Sequence, residues 1–226
     1  MFPKLKKRRG ATRDRGAGAA TAKLDLTAIN RAVERLLGVT EDPRHRYLLE
    51  AYNRHRYLEV AGRYEEIFAP EMTVEHPVYR FSLIGQPKLK LEGREQVEAL
   101  YRRWTETDQC VFYTDDETVA VGDHMVVSRG IVYQQTLGSA LVDAGVAADE
   151  HAMYLNKSEI AMVWPYDERG RLIGEDVWEY DDVHRELIEL DPADVLTAER
   201  AGELLEPLIK PLPTFDEGLL VTAPGP

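Results

Sequence analysis

An acid placed among large aromatic residues is the chemically most informative feature of the sequence. Residues 172–180 read LIGEDVWEY, an alternating pattern typical of a β-strand that follows a polar turn. Successive side chains of a strand point to opposite faces, so Asp176 shares a face with Trp178 and Tyr180. If that face lines a cavity, the loss of hydration raises the pKa of Asp176 and makes it a general acid or base near neutral pH. If the face lies at an open sheet edge, Asp176 only keeps that edge soluble.

A single arginine interrupts the apolar residues of the segment 124–135, HMVVSRGIVYQQ. The pattern predicts that Arg129 points to the inside of the sheet, together with the aliphatic residues two positions away and with Tyr133. A buried guanidinium is costly unless it meets an anion, so Arg129 is expected to pair with Asp176 or to hold a substrate. Tyr133 is a candidate proton donor on the same face.

One histidine is a further candidate for proton transfer. His76 alternates with Val74 and Val78 on a predicted strand, which places all three on the inner face. A neutral imidazole in a cavity is a ready general acid or base. The alternative is a core histidine that bonds to a backbone carbonyl. The four predicted catalytic residues are therefore Arg129, His76, Asp176 and Tyr133.

Other polar and aromatic residues are placed to contact a ligand. Tyr154 and Asn156 alternate along a strand and can bond to substrate oxygens, while Tyr52 and His55 share a helical face that reaches the pocket floor. Aromatic walls favour a flat ligand, although core packing explains several of these residues equally well. The predicted substrate-binding residues are Tyr52, His55, Tyr101, Trp104, Tyr154, Asn156 and Trp178.

The elements that must position these residues change from helical to extended along the chain. Helical spacing covers residues 26–37, 43–60, 63–69 and 93–104, and extended patterns cover residues 72–81, 88–93, 111–123 and 124–137. Gly122 and Asp123 indicate a hairpin, and two further strands surround the polar turn near Gly170. A last helix is predicted near residues 190–209, with Asp191 as its cap and Pro192 in its first turn.

Composition restricts the class of protein. The chain has 226 residues, is 44% hydrophobic and 30% charged, and has a net charge of −12. It contains no long apolar run, so neither a membrane span nor a signal peptide is expected and a cytoplasmic location is predicted. Cys110 is the single cysteine, which excludes an intrachain disulfide and a multi-cysteine metal site. An acidic body repels nucleic acid, so no nucleic-acid partner is expected.

The two ends and one internal segment differ from the rest. Residues 1–15 carry seven Lys or Arg and one Asp, which predicts a disordered basic arm over residues 1–24. Residues 25–190 are predicted to form the main domain, and residues 191–226 a helix and an extended tail that could lie on a partner subunit. The segment 138–151 is either a flap over a pocket or a solvent loop or oligomer contact.

The order of these elements resembles the nuclear transport factor 2-like superfamily, in particular its SnoaL-like branch. The resemblance rests on AYNRHRYLEVAGRYEEIFAPEMTVEHP, GREQVEALYRRW and WPYDERGRLIGEDVWEYDD, and it spans roughly residues 43–182. It implies an α+β fold in which a cone-shaped, curved antiparallel sheet wraps around helices and encloses a pocket. A fold of this kind hosts many reactions, so it does not fix the activity.

The resemblance also implies chemistry without a cofactor or a metal, carried by acids, bases and hydrogen-bond donors. The position of Arg129 is similar to that of the active-site arginine in the epoxide hydrolases of the superfamily. Where those enzymes have an aspartate two residues later, this chain has Ile131. That difference argues against epoxide hydrolysis.

Three functions follow as expectations. The first is a cofactor-independent lyase on a hydroxylated aromatic compound; the chain looks most like enzymes that convert lignin-derived diarylpropane diols to stilbenes and formaldehyde. The second is an isomerase or cyclase of a polycyclic ketone, and the third is a non-catalytic binding or assembly module. The expected partners are a small aromatic substrate and further copies of the chain, as a dimer or trimer.

Overall fold

The structure, a computed structural model, describes residues 24–83 and 88–220, and only the backbone of residues 182–184. The predicted basic arm and the end of the tail lie outside the described residues. Seven α-helices are described: α1 (Arg31–Leu37), α2 (Pro43–Val60), α3 (Tyr64–Ile67), α4 (Arg94–Glu106), α5 (Gly138–Asp143), α6 (Ala198–Leu205) and α7 (Phe215–Gly218). Six strands are described: β1 (Thr73–Ser82), β2 (Leu89–Glu92), β3 (Phe112–Gly122), β4 (Met125–Leu137), β5 (Met153–Pro165) and β6 (Leu172–Glu189).

The long helix α2 forms the centre of the fold. Asp42 caps it by accepting a hydrogen bond from the backbone N–H of His45, and Pro43 occupies its first turn, where no N–H is needed. Most of its side chains from Tyr47 to Val60 are buried, against the sheet on one side and other helices on the other. The buried set includes the polar side chains of His55 and Arg56, so the enclosed helix carries polar groups into the interior.

The six strands form one sheet in the order β2-β1-β6-β5-β4-β3. The sheet is curled around the helices but not closed, with β2 and β3 at its edges, so the predicted α+β fold class is confirmed. One detail differs from an all-antiparallel sheet, because β1 and β6 pair in parallel. Glycine makes this contact close: a Cβ on Gly174 would lie 1.9 Å from the carbonyl oxygen of Val78.

The predicted inner face is wrong on three strands. On β4 the structure buries Val126, Ser128 and Val132, so Arg129 and Tyr133 belong to the other face. The prediction followed the more apolar of the two alternating sets of β4, whereas the structure buries part of the set that contains Ser128 and Gly130. On β6 the buried residues include Glu175, Val177 and Glu179, whereas Asp176, Trp178 and Tyr180 are partly or fully exposed. On β1 they include Thr73, Pro77 and Tyr79.

The two turns predicted from the sequence are confirmed. Strands β3 and β4 join at Gly122, and the turn between β5 and β6 is closed by Asp167, whose carboxylate accepts hydrogen bonds from the backbone N–H groups of Arg169 and Arg171. Gly170 has a φ of 68°, and a Cβ there would lie 2.5 Å from the ring of Tyr47. The turn therefore packs directly on α2.

The C-terminal part differs from the prediction. Asp191 does not cap a long helix; α6 begins later and is capped by Thr197, whose hydroxyl accepts from the N–H of Arg200. The tail is not fully extended, because α7 follows a capping box of Thr214 and Glu217. Phe215 packs edge-on against Tyr47 with ring centroids 5.2 Å apart, within its own subunit.

Candidate active site

A small cavity lies between α2 and the inner face of the sheet, and we call it the inner pocket. Its volume is about 70 Å³. Four of its lining residues, Phe81, Trp104, Ile160 and Met162, are only half-buried, so the pocket reaches the surface on that side. The complete lining is Arg56, Glu59, Phe81, Trp104, Phe112, Val132, Gln134, Ile160, Met162, Trp164, Glu175 and Val177.

Two carboxyl groups stand in this largely apolar lining. Glu59 comes from the last turn of α2, and Glu175 comes from β6, where it pairs in register with Tyr79 of β1. Glu175 is buried, whereas Glu59 is half-buried. A carboxylate in such a setting loses hydration without a matching number of hydrogen bonds, which favours its neutral form.

The pKa of both acids is raised. Burial raises the pKa of Glu59 to about 7, against an opposing effect of the Arg56 guanidinium. Burial, and then repulsion by Glu59, raise the pKa of Glu175 well above its usual range. At neutral pH Glu59 is therefore near its midpoint and Glu175 is shifted toward its protonated form, a combination that suits acid–base catalysis.

Arg56 supplies the positive charge of the inner pocket. Its Nη1 lies 2.5 Å from Oε1 of Glu117 and 2.6 Å from the hydroxyl of Tyr52, and its side chain is only 1% exposed. The guanidinium carbon lies 5.4 Å from the ring centre of Tyr52 and 5.3 Å from that of Phe112. The Nε and Nη2 atoms have no hydrogen-bond partner among the described residues. They are therefore free to donate to an oxygen of a ligand or to water.

A bulge in β3 brings Glu117 to this arginine. The pairing with β4 shifts between Asp115 and Thr118, and Asp116 has a φ of 52°. Gly130 on β4 allows the approach, since a Cβ there would lie 2.9 Å from the Cα of Glu117. Bulges often redirect a side chain next to a functional site.

Aromatic and imidazole groups form the wall beside the two acids. His55 Nε2 lies 3.2 Å from the hydroxyl of Tyr101, and the His55 ring packs edge-on to Trp164. Burial lowers the pKa of His55 to about 3, so this histidine is neutral. Burial raises the pKa of Tyr79 and of Tyr101 well above the usual range, so both remain protonated.

The predicted catalytic residues Arg129 and Asp176 do not face this pocket. Arg129 is 67% exposed; its Nε donates to the hydroxyl of Tyr180, which in turn donates to Glu159. Asp176 lies 2.9 Å from Arg80 on the outer face, so the predicted pair with Arg129 is wrong. On the outer face, Asp176 pairs with Arg80, and Arg129 contacts Tyr180 and Glu159. Neither charged side chain therefore needs a partner inside a cavity.

The other two predicted catalytic residues are also elsewhere. His76 is exposed, because the inner face of β1 is formed by the alternate residues. Tyr133 lies on the outer face of β4, with Lys157 Nζ 5.9 Å from its ring centre. The structure thus brings none of the four predicted catalytic residues into the inner pocket.

The predicted binding residues have mixed positions. Trp104 lines the inner pocket, while Tyr52, His55 and Tyr101 are buried behind or beside it. Trp178 is 41% exposed on the outer face. Tyr154 and Asn156 lie on the inner side of β5 but do not line the inner pocket. The Tyr154 hydroxyl accepts from the backbone N–H of Asp149 and donates to Glu189, and Asn156 accepts from Arg185.

The charged residues of the pocket were not recognised in the sequence. Glu59 and Arg56 continue the helical face of Tyr52 and His55, and a polar stripe on an otherwise buried helix was the available signal. Neighbouring residues of a strand point to opposite faces. The prediction that Asp176 faces inside therefore placed Glu175 outside.

Comparison with known proteins identifies similar folds only. No protein-family model and no curated protein matches the chain. An NTF2-like protein of Anabaena variabilis has a TM-score of 0.45 and 11% identity over 62% of this chain and 92% of its own. A protein provisionally assigned as a SnoaL-like polyketide cyclase of Jannaschia has a TM-score of 0.45 and 17% identity over 62% and 90%. The CaMKII hub of S. rosetta has a TM-score of 0.40 and 10% identity over 60% and 96%.

These similarities say nothing about the reaction of this chain. Among the described helices, none has both the length and the apolar character to cross a membrane. The described residues also contain no group of three or more His, Cys, Asp or Glu side chains arranged to hold a metal ion.

Proposed function

We propose that the chain is a cofactor-independent acid–base enzyme and that its reaction takes place in the inner pocket. The observation that carries the proposal is the pair of raised carboxyl pKa values, about 7 for Glu59 and well above the usual range for Glu175, in a cavity with apolar walls. Structural ion pairs also perturb pKa values, but they hold carboxylates charged. Here both acids are shifted toward the neutral form, as in a proton-transfer site.

The two acids take different roles. Glu59 ionises first and acts as the general base, and Glu175 keeps its proton and acts as the general acid. Arg56 lowers the cost of a negative charge that develops on a substrate oxygen, through N–H groups that lack a partner in the described structure. Trp164 lines the same pocket with an unpartnered Nε1 and can donate to the same oxygen.

A lyase reaction on a hydroxylated aromatic compound is the first candidate. Glu175 would protonate the departing benzylic hydroxyl, and Glu59 would take the proton of the terminal alcohol as the carbon–carbon bond to formaldehyde breaks. The cavity of about 70 Å³ holds about two water molecules, since each takes roughly 30 Å³ in the liquid. Only the reacting end of a diarylpropane diol fits inside, so its rings would extend through the opening at Phe81 and Trp104.

An isomerase is the second candidate, favoured by the unpartnered donors. In that reaction Glu59 removes a proton next to a carbonyl, Glu175 and Arg56 bind the enolate oxygen, and the proton returns to another carbon. Small ketones suit the cavity better than polycyclic ones. A binding module without catalysis would need no acid near its midpoint at neutral pH.

The experiment is a screen that separates these candidates. One-ring and two-ring hydroxylated aromatics and small ketones are incubated with the protein in D₂O and followed by mass spectrometry. Formaldehyde with loss of substrate indicates the lyase, and deuterium uptake without a change in composition indicates proton transfer next to a carbonyl.

Matched variants show whether the inner pocket is responsible. Glu59→Gln and Glu175→Gln keep the shape and should each lower the rate about 100-fold or more. Asp176→Asn changes the neighbour of Glu175 on the opposite face and should leave the rate within about twofold, since it leaves the acid–base pair intact. Equal losses in Glu175→Gln and Asp176→Asn, or turnover unaffected by Glu59→Gln, would refute the proposal.

A further inference from the structure

A second, larger depression lies on the other side of the sheet, and we call it the outer groove. It has a volume of about 780 Å³ and is bounded by the segment Leu24–Arg35 and by the outer face of β3 to β6. Tyr133, Leu155 and Ile188 contribute apolar surface to its floor. A space of this size is within the range of ligand-binding sites, and it shares no lining residue with the inner pocket.

The groove displays carboxylates that have no ion-pair partner among the described residues. Asp115 and Asp116 are exposed on the β3 bulge, and Asp25 faces the groove from the opposite wall. Glu186 also lines it but is paired with Lys157 at 3.5 Å. Two cations, Arg31 and Arg35 on α1, line the same wall as Asp25.

A buried carboxylate oxygen gives independent evidence for a cationic ligand. Glu117 lines the outer groove, yet its side chain is only 6% exposed. Its Oε1 binds Arg56, whereas its Oε2 is buried without a hydrogen-bond partner in the described structure. An unsatisfied buried acceptor is costly, so a donor that reaches it from the groove is favoured.

The chain itself contains a complementary segment. Residues 1–15 carry seven Lys or Arg and one Asp, and the chain that leads to them begins at the groove, because Leu24 is one of its lining residues. The eight residues 16–23 read GAGAATAK and can span up to about 28 Å. Phe2 and Leu5 offer apolar side chains for the floor.

We propose that the outer groove is the binding site of the chain's own basic segment, residues 1–15. Lysine and arginine side chains of the segment bind Asp115 and Asp116, and one of them donates to the free oxygen of Glu117. Tethering raises the effective concentration of the segment to the millimolar range, so weak individual contacts suffice. This proposal does not depend on the reaction proposed for the inner pocket.

The test compares backbone amide NMR shifts of the full chain with those of a variant in which Lys4, Lys6, Lys7, Arg8 and Arg9 are all changed to Gln. We expect shift differences at Asp115, Asp116 and Tyr133, and their reversal when a synthetic peptide of residues 1–15 is added to the variant. Salt of about 1 M, where the Debye length is about 3 Å, should abolish the effect. A control with Arg102→Gln and Arg103→Gln on α4 should leave the groove unchanged.

A groove variant tests the other side of the contact. Asp115→Asn with Asp116→Asn keeps the bulge, because Asn tolerates the positive φ at residue 116, and it should lose the peptide response. The proposal is overturned if neutralising the five cations leaves the groove amides unchanged, or if adding the two Asn changes to the five-Gln variant leaves its response to the peptide unchanged. Shifts that grow with protein concentration would assign the groove to the segment of a second copy. A response to spermine without one to the peptide would assign it to a small polycation; either result also overturns the proposal.

Discussion

Nη1 of Arg56 on α2 lies 2.5 Å from Oε1 of Glu117 on β3, and the side chains of both residues are buried. This ion pair joins the central helix to an edge strand and places one partner in the inner pocket and the other in the outer groove. The pKa of Arg56 is raised because the attraction of Glu117 and Tyr52 outweighs the cost of burial. The Arg56 guanidinium therefore stays positively charged beside the two acids.

The first prediction concerns the stability that depends on this pair. Glu117→Gln leaves the Arg56 charge buried without a counterion and should lower the free energy of unfolding by about 3–5 kcal/mol. Glu203→Gln breaks the exposed pair with Arg200 and should cost less than about 1 kcal/mol. Urea unfolding of both variants measures the difference; equal losses would show that the Arg56–Glu117 pair is not buried as described.

The second prediction concerns the pH dependence of stability. The folded pKa of Glu59, about 7, lies above its ordinary value of 4.5, so the folded state holds a proton that the unfolded chain releases. This contribution to stability is fully present below pH 4.5 and is lost as the pH rises through 7. Glu59→Gln should gain stability relative to the native protein over that interval, reaching about 3 kcal/mol above pH 7.

Unfolding experiments at pH 4.5, 6 and 8 measure this difference. The difference between the two proteins reports Glu59 together with its effect on the pKa of Glu175, because the remaining acids are the same in both. A difference that stays constant with pH would contradict the raised pKa.

The third prediction concerns the pH dependence of turnover. The reaction needs Glu59 ionised and Glu175 protonated, so the rate should rise with pH through about 7 and fall when Glu175 loses its proton. Glu175→Gln keeps a hydrogen-bond donor that cannot ionise, so any residual activity should lack the fall at high pH. A rate profile of this variant that falls as in the native enzyme would assign that limb to another group.

The fourth prediction concerns the turn that joins β5 and β6. Gly170→Ala is destabilised by a positive φ and by a clash of the new Cβ with the ring of Tyr47. Gly145→Ala is destabilised by a positive φ of 78° alone, because no atom lies within 4 Å of its new Cβ. Gly145→Ala should cost about 1 kcal/mol, and Gly170→Ala should cost about 2–4 kcal/mol. Thermal unfolding of the two variants measures the difference, and similar melting temperatures would show that the turn does not pack on α2.

The fold was predictable because its signals are local. Asp42 and Pro43 mark the start of α2, Gly122 marks a hairpin, and the strand count follows from extended runs between turn residues. The late start of α6 was missed, because Asp191 and Pro192 resemble a helix start but belong to a turn, with the Asp191 carboxylate accepting from the N–H of Ala193.

The site was not predictable from alternation, because the period of a strand fixes which residues share a face and not which face is inside. Asp176 was correctly grouped with Trp178 and Tyr180, but that set lies outside. The inner set contains Glu175, an acid whose burial shifts it toward its protonated form. The bulge that turns Glu117 toward Arg56 depends on the pairing of two distant strands.

A ¹³C NMR titration of the side-chain carboxyl carbon of Glu59 tests most directly whether the inner pocket raises the pKa of this acid. Burial in the inner pocket predicts a midpoint near pH 7. The midpoint should move upward when the Arg56 charge is removed in Arg56→Met, because that guanidinium lowers the pKa. A midpoint near 4.5, the ordinary value for a glutamate, would contradict the central claim that this pocket holds an acid–base pair working at neutral pH.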